Sequence, residues 1–313
     1  MKRLDIQRPK AVFELAHKLA QKRFGELDNA PPRQGHPWVY PHSLYAALLI
    51  FRAYFGLTYR HTVALFKDLY PESPCPSFQS LQRYMSRNLK PEDLQGLLAE
   101  LKNQLERLLP DDAVPLVILD TTGIAHRGLT QKLNYKRGAE VRRVRGHSRL
   151  GLLVRYYTDL KLLVIDGVAA GPAYASDMVL GRRALRQGTK PGPLLADAGF
   201  DSVEIWKEAF ERGYHPQIRL KGGGEVKSEL RKLGQKLFEP FLYRFRGVGE
   251  GVFGGIKTRL NGPVRELKPK VALKRVLLEA ICYDLRILLT LILFALLPAR
   301  PIRAEPGPSN LIL

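Results

Sequence analysis

The chain has 313 residues, of which 45% are hydrophobic and 26% are charged. This composition excludes disordered, collagen-like and disulfide-scaffold classes, and the length corresponds to two or three domains of about 100–200 residues. The 50 lysines and arginines outnumber the 30 aspartates and glutamates, which gives a formal net charge of +20. An excess this large indicates a polyanionic partner: DNA, RNA or an anionic membrane.

Cysteine usage and hydropathy bear on where the chain works. Cys75 and Cys282 provide neither a disulfide framework nor a C-x-x-C zinc pair, which favours a cytoplasmic location. The first residues, MKRLDIQRPK, lack the apolar run of a signal peptide. Residues 287–297 are apolar throughout, but 11 residues fall short of the roughly 20 that span a bilayer. Because leucines before this run recur at helical spacing, we predict a buried amphipathic helix ending at Pro298 and no membrane partner.

The first third of the chain has helical periodicity and is predicted to form an all-helical DNA-binding domain over residues 1–110. Gly56 is expected to end one helix, and Thr58 and Ser77 are placed to cap the next two. We interpret the helix after Ser77 as part of a helix-turn-helix-like element, with a scaffold helix carrying solvated polar residues as the alternative. The side chains expected to face a DNA groove are Gln79, Gln82, Arg83 and Arg87.

The pattern changes at Pro115, where short apolar runs begin. PLVILD, GLLVRYY and KLLVIDGVA predict three strands, the last two joined by a hairpin turn at 158–159. The following segments predict the order helix, strand, helix, strand, helix. This order indicates an α/β fold with a mixed sheet.

A basic stretch lies between residues 127 and 149 and contains eight lysines or arginines and one glutamate. It follows directly after a predicted strand that carries an acid. We interpret it as a phosphate-binding arm, with Arg142, Arg143 and Arg145 as candidate contacts. A solvated surface hairpin is the alternative.

Two aspartates follow apolar strands: Asp120 in VILDTTG and Asp197 in LLADAGF. The carboxyl ends of strands border the ligand crevice of open α/β sheets. Acids on neighbouring strands repel each other unless a cation lies between them, and Mg²⁺ is the hard, oxygen-ligated cation that suits them. Taken alone, an aspartate at a strand end is more often a cap or turn residue than a ligand.

A third acid, Glu250, lies in LYRFRGVGEGVFGGIKTRL together with Tyr243, Arg246 and Lys257. Arg246 is four residues before Glu250 and Lys257 is seven after it, so we expect one shared helical face. An acid, a guanidinium and an ammonium together suit a metal and a scissile phosphate. A surface ion-pair ladder is the alternative.

Tyr243, Arg246, Glu250 and Lys257 match the signature around the last catalytic acid of DDE-type bacterial insertion-sequence transposases, families four and five. Two further segments carry the resemblance. LDTTGI at 119–124 resembles the first-acid block of that group, and LLADAGFDS at 194–202 resembles its second. The segment around FGLTYRHTVALF is similar to the helical DNA-binding region that precedes the catalytic domain.

The resemblance implies a ribonuclease-H-like catalytic domain over residues 111–297, with a short insert at about 221–242 and a loose tail at 298–313. It implies that Asp120, Asp197 and Glu250 form the catalytic triad and hold two Mg²⁺ ions, for which Mn²⁺ can substitute. Asp120 would bridge both ions. Tyr243, Arg246 and Lys257 would contact the DNA phosphates.

The implied activity is cut-and-paste DNA transposition on double-stranded DNA, at the terminal inverted repeats and at the target, and we expect a homodimer in the DNA complex. In some relatives a Trp of the insert holds a flipped base, but the insert of this chain contains no Trp. Phe238 or Phe241 could stack on a base instead, and packing of these rings in the core is the alternative. Two other hypotheses are a different ribonuclease-H-like metal-dependent nuclease and a catalytically inactive DNA-binding protein.

Overall fold

A computed structural model describes residues 8–29, 40–110, 113–126, 133–137, 140–144, 147–222, 226, 228–259, 264–266 and 268–295. Its α-helices are α1 Pro9–Asp28, α2 His42–Phe55, α3 Tyr59–Leu69, α4 Phe78–Arg83, α5 Pro91–Glu106, α6 Asp177–Leu185, α7 Val203–Glu211, α8 Glu229–Lys236, α9 Pro240–Tyr243, α10 Glu250–Gly254 and α11 Pro269–Ala295. Its strands are β1 Leu116–Ala125, β2 Leu133–Arg137, β3 Glu140–Val144, β4 His147–Tyr157, β5 Leu162–Pro172, β6 Pro193–Ala196 and β7 His215–Ile218. A π-helical turn, Tyr84–Asn88, extends α4.

The central sheet has the strand order β5-β4-β1-β6-β7. β4 runs antiparallel to both β1 and β5, whereas β6 runs parallel to both β1 and β7. Numbered within this sheet alone, the order is 3-2-1-4-5, which is that of a ribonuclease-H-like fold. The prediction of a mixed α/β sheet after a helical N-terminal region is therefore confirmed.

The predicted helix ends between α2 and α4 are confirmed by their caps. Gly56 follows α2 with a φ of 64°, a left-handed conformation that glycine adopts without steric strain. Oγ1 of Thr58 accepts a hydrogen bond from the backbone N–H of His61, and Oγ of Ser77 accepts one from the N–H of Ser80. Each hydroxyl satisfies a donor that the helix itself leaves unpaired.

The long helix α11 packs between the N-terminal helices and the sheet. Its buried residues, among them Leu278, Ile281 and Leu285, belong to one apolar cluster with side chains of α1, α2, α5, β1 and β4. The predicted helix is confirmed as far as Ala295, where the described part ends, and its buried side chains extend to Leu289. Within the described ranges, no helix is long and apolar enough to cross a membrane.

β1 presents its alternate side chains to two different cores. Ile118 belongs to the cluster that contains α11, whereas Val117 and Leu119 belong to a second cluster with α6 and α7. Successive residues of a strand point to opposite faces, so Asp120 and Thr122 lie on the same face as Ile118. This face carries the candidate site.

Buried charges join α5 to the sheet. Nη1 of Arg155, on β4, lies 2.7 Å from Oε1 of Glu106, and Nζ of Lys102 lies 3.1 Å from Oδ1 of Asp166 on β5. Arg155 and Asp166 are almost completely buried. Because removing one partner of a buried pair leaves an uncompensated charge, these contacts hold α5 in one position on the sheet.

The basic stretch after β1 forms, where it is described, a separate two-stranded sheet of β2 and β3. Arg142 and Arg143 lie on β3, and Arg145 lies outside the described residues. Of the predicted insert, α8 is the main described element. The predicted tail at 298–313 also lies outside the described residues.

Candidate active site

Asp120 and Asp197 directly follow the last residue pair that joins two adjacent strands, β1 and β6. β1 and β6 are parallel, and the final pair of their register is Leu119 with Ala196. The next residue on each chain is an aspartate, and neighbouring strands are about 4.8 Å apart. Contrary to the sequence-based expectation, β1 does not end at Asp120. It continues to Ala125 because β4 remains paired with it beyond the end of β6.

Both aspartates are oriented by backbone N–H groups. Oδ1 of Asp120 accepts a hydrogen bond from the N–H of Thr121 at 2.8 Å, and Oδ1 of Asp197 accepts one from the N–H of Gly199 at 2.8 Å. The second bond makes Asp197 the cap of the 3-10 turn Ala198–Phe200. In each carboxylate one oxygen is fixed by the backbone, which leaves Oδ2 for other partners.

Glu250 comes close to Asp120 because its neighbour is a glycine. A Cβ atom at Gly249 would lie 2.8 Å from Cγ2 of Ile118, so the chain can pack this tightly on β1 only without a side chain there. Ile118 is two residues before Asp120 and shares its face of the sheet. Glu250, the first residue of α10, therefore lies on the same face as Asp120.

Arg246 and Lys257 contact β1 at the next two residues of that face. Nη1 of Arg246 lies 3.9 Å from Oδ2 of Asp120, and Nζ of Lys257 donates a hydrogen bond to Oγ1 of Thr122. Gly249, Arg246 and Lys257 thus meet β1 at positions 118, 120 and 122. Thr122 was not predicted as a site residue, although it lies inside the LDTTGI motif.

The helix expected over this segment is irregular. It is 3-10 over Arg244–Gly249, α over Glu250–Gly254 and π over Gly255–Arg259. A 3-10 helix has about three residues per turn, so residues four apart do not share a face as they do in an α-helix. The helical face expected to be shared by Arg246 and Glu250 is therefore not formed, and Arg246 contacts Asp120 instead.

The pKa of Asp120 is raised above its usual value. Burial of this carboxylate is the main cause, and the charges of Asp197 and Glu250 act in the same direction. The hydrogen bond from the N–H of Thr121 and the guanidinium of Arg246 oppose these effects without cancelling them. A proton or a cation at this carboxylate relieves the repulsion.

A fourth acid, Asp177, lies on the opposite side of β1 and is already paired. Oγ1 of Thr121 donates a hydrogen bond to Oδ1 of Asp177, and the guanidinium of Arg149 forms an ion pair with the same oxygen. Asp177 is the first residue of α6. It fixes Thr121, the residue after Asp120, and no sequence motif indicated this role.

The carboxylates fit a hard divalent cation by their chemistry. They are oxygen ligands from three separate parts of the chain, and the pKa of Asp120, raised mainly by burial, is raised further by the charges of Asp197 and Glu250. The described side chains do not include three or more His, Cys, Asp or Glu groups already arranged around one metal position.

Comparison with known proteins identifies the family. A family model described as a transposase DDE domain matches residues 115–285, which include Asp120, Asp197 and Glu250. This chain belongs to the DDE transposase family. An uncharacterized protein of Aquifex aeolicus (strain VF5) is 26% identical over 276 residues, covering 84% of this chain and 83% of its own length. DDE transposases are phosphoryl-transfer enzymes that act on DNA and generally use divalent metal ions.

Asp201, an acid close to Asp197 in the sequence, has a structural role. It is buried and accepts hydrogen bonds from Nε1 of Trp206 at 2.9 Å, from the N–H of Lys221 at 2.8 Å and from Nε of Arg231 at 2.8 Å. Burial acts to raise the pKa of Asp201, but these bonds outweigh it and lower the pKa. Asp201 therefore anchors α8 to the catalytic domain.

The aromatic candidates lie beside the end of β7. The ring of Tyr243 packs on Phe238 with ring centres 5.2 Å apart, and the guanidinium of Arg219 lies 4.8 Å from the centre of the Tyr243 ring. Phe238 is half-buried, whereas Phe241 is 60% exposed and stacks with the guanidinium of Arg244 at 3.8 Å. The Phe241 ring is therefore not packed in the core, which was the alternative to base stacking.

The four residues predicted to face a DNA groove are exposed and lie together. Gln79, Gln82, Arg83 and Arg87 line one cleft of about 650 Å³. This cleft lies away from the carboxylates, which line none of it.

Proposed function

We propose that this transposase binds the ends of an insertion sequence and moves it by metal-dependent cleavage and strand transfer, that is, by cut-and-paste DNA transposition. The observation that carries the proposal is the set of three contacts on β1. They bring Glu250, Arg246 and Lys257 to the face of the sheet that bears Asp120. This arrangement combines metal-binding acids with two cations suited to a phosphodiester.

Asp120, Asp197 and Glu250 are proposed to hold two Mg²⁺ ions, with Mn²⁺ as a substitute. Bound there, the ions would supply charge at the attacking and the leaving oxygen of the phosphoryl transfer. The charges of Asp197 and Glu250 support this role, because they add to the effect of burial in raising the pKa of Asp120 and a bound cation would offset them.

The cations near β1 are proposed to bind the scissile phosphate. Arg246 presents a planar guanidinium that can grip two non-bridging oxygens at once. Lys257, oriented by Thr122, offers a point charge on the same face. Tyr243 can donate its hydroxyl proton in a hydrogen bond to a phosphate further along the strand. In cleavage, water attacks phosphorus and the 3′ oxygen leaves as a 3′-hydroxyl. In joining, that 3′-hydroxyl attacks a phosphorus of the target strand, and the target's own 3′ oxygen leaves and takes up a proton.

The DNA ends are proposed to be recognised outside this centre. Gln79, Gln82, Arg83 and Arg87 are exposed on α4 and its π-helical extension, and amide and guanidinium groups can read base edges. Arg142, Arg143 and Arg145 of the basic arm are proposed phosphate contacts. We also propose a homodimer in the DNA complex, in which each subunit acts on one end.

The test uses a plasmid that carries the DNA flanking the gene, with any short inverted repeats beside the reading frame. The purified protein is expected to cleave at the repeats with Mg²⁺ or Mn²⁺ and to join a pre-cleaved end to target DNA. Cleavage without joining would favour the nuclease hypothesis. Binding without either reaction would favour the inactive DNA-binding protein.

A further inference from the structure

The cleft lined by Gln79, Gln82, Arg83 and Arg87 has a second wall from a distant part of the chain. Arg265, Glu266 and Lys268, which lie between the catalytic helix α10 and α11, face these residues across it. The cleft is thus formed jointly by the N-terminal helices and by the polypeptide that follows Lys257.

The charge of this cleft is strongly positive. Arg83, Arg87, Arg265 and Lys268 are all exposed on its two sides. The acid in the second wall, Glu266, is neutralised because its Oε1 lies 2.8 Å from Nη1 of the buried Arg52. Four exposed cations therefore remain to attract an anion into the cleft.

The second wall is held by contacts at both of its ends. The Arg52 guanidinium that binds Glu266 also stacks on the ring of Tyr59, 4.0 Å from its centre. The N–H of Val264 donates a 2.8 Å hydrogen bond to the carbonyl oxygen of Ala125, the last residue of β1. The wall is therefore fixed to α2 on one side and to the strand of Asp120 on the other.

We propose that Arg265 and Lys268 form, with Arg83 and Arg87, a two-sided phosphate clamp for the backbone of duplex DNA. This inference rests on the proposed function and adds to the DNA interface two residues of the C-terminal half. The cations mark an anionic polymer. Duplex DNA is favoured because the exposed amides of Gln79 and Gln82 line the same cleft as the cations, and amide groups can read base edges in a groove. The tie to β1 then positions bound DNA relative to Asp120.

The test measures binding of a fluorescently labelled duplex of about three helical turns, without divalent metal, at a series of salt concentrations. The variant Arg265→Ala/Lys268→Ala is expected to bind more weakly and to lower the salt slope by about 1.8, since each phosphate contact contributes about 0.9. The control Arg107→Ala/Lys207→Ala removes the same charge from exposed positions outside the cleft and is expected to keep the slope. Arg265→Lys/Lys268→Arg preserves both charges and should restore binding.

Equal slopes for the cleft variant and its control would overturn the clamp, as would a wild-type protein that binds no duplex. An equal loss of affinity for single-stranded DNA of the same length would overturn the assignment to duplex DNA. Plasmid cleavage is assayed separately. A protein that binds DNA through Arg265 and Lys268 but never cleaves it would refute the proposed function and leave the clamp intact. Normal cleavage together with an unchanged salt slope in the cleft variant would refute the clamp and leave the proposed function intact.

Discussion

The guanidinium of Arg246 lies 3.9 Å from the carboxylate of Asp120, on the face of the sheet that also receives Glu250. The arginine thereby opposes burial and the neighbouring acids, which together raise the pKa of Asp120. In the proposed mechanism the same guanidinium binds a phosphate once a cation occupies the acids. The observed distance fits this proposal, because it is close enough for Coulomb attraction but longer than a hydrogen bond.

Arg246→Ala is expected to keep metal binding and to lose cleavage. The acids remain, but the two-pronged contact to the phosphate is absent. Arg246→Lys should also be impaired, because an ammonium cannot replace a planar guanidinium. Single-turnover cleavage beside Mg²⁺-induced shifts in melting temperature checks both. Full cleavage in a stably folded Arg246→Ala protein would show that the contact has no catalytic role.

Lys257 and Thr122 offer a matched pair of substitutions. Lys257→Ala should abolish most cleavage, whereas Thr122→Val removes only the hydroxyl that orients the ammonium. The loss of one such hydrogen bond, about 1 kcal/mol, corresponds to roughly fivefold in rate. If Thr122→Val reduces the cleavage rate as much as Lys257→Ala does, the threonine acts on the reaction directly rather than through the lysine.

Asp120→Asn, Asp197→Asn and Glu250→Gln should abolish cleavage and leave duplex binding near normal, because none of these acids lines the cleft proposed to bind the duplex. The cleavage rate should fall by more than about 10- to 100-fold, which is the loss that follows removal of a residue that only supports a metal ligand. Asp120→Asn should also melt at a higher temperature without metal, since it removes a carboxylate whose charge is disfavoured by burial and by the neighbouring acids, and it should lose the stabilisation that we expect Mg²⁺ to give the wild type. Cleavage that survives one substitution at saturating Mg²⁺ removes that residue from the triad.

Asp201→Ala tests an acid with a structural rather than a catalytic role. It leaves Arg231, Trp206 and the N–H of Lys221 without their acceptor, so we expect a loss of about 1–3 kcal/mol in the free energy of unfolding. Activity should fall only in proportion to the folded fraction. Urea titrations beside cleavage assays distinguish this from Asp197→Ala. A normally stable but inactive Asp201→Ala protein would place Asp201 in the catalytic site.

Asp284 of α11 predicts a pH dependence of stability. Burial raises its pKa to about 8, while its carboxylate accepts a hydrogen bond from the N–H of Ile165 at 3.1 Å. An unfolded aspartate titrates near about 3.9. Between these values the folded state holds a proton that the unfolded state has lost, so the free energy of unfolding falls as pH rises from about 4 to about 8.

Asp284→Asn cannot titrate and keeps the acceptor oxygen. Its stability relative to the wild type should therefore improve on going from pH 5 to pH 8, as measured by urea unfolding at both values. Glu279→Gln should behave alike, because burial raises the pKa of Glu279 to about 8. A difference between variant and wild type that stays constant across this range would contradict the prediction.

Replacing Arg142, Arg143 and Arg145 together by alanine should lower the salt slope of duplex binding by up to about 2.7, at about 0.9 for each phosphate contact. Arg107, Lys207 and Lys236, exposed outside the arm and the cleft, provide a triple control of equal charge. If both triple variants give the same slope, the basic stretch is the solvated hairpin and the phosphate contacts lie elsewhere.

The sequence by itself determined the elements and the identity of the acids. Thr58, Ser77 and Gly56 mark helix ends because capping and left-handed φ depend on the residue itself. Apolar runs located β1 and β6, and the aspartates after them pointed to one crevice because parallel strands end together. The spacing around Glu250 indicated the family that the match over residues 115–285 established.

Only the tertiary structure decided which groups meet. The pairing of β4 carries β1 past Asp120, and the 3-10 geometry turns Arg246 to Asp120 rather than along a face with Glu250. Packing separated Asp197 from the buried Asp201, four residues away, and brought Arg265 and Lys268 opposite α4. Local sequence patterns reflect hydrogen bonds between nearby residues and the spacing at which side chains fall on one face of a helix or strand. Strand register, irregular helix turns and contacts between distant segments depend instead on how whole elements pack, which spacing alone does not encode.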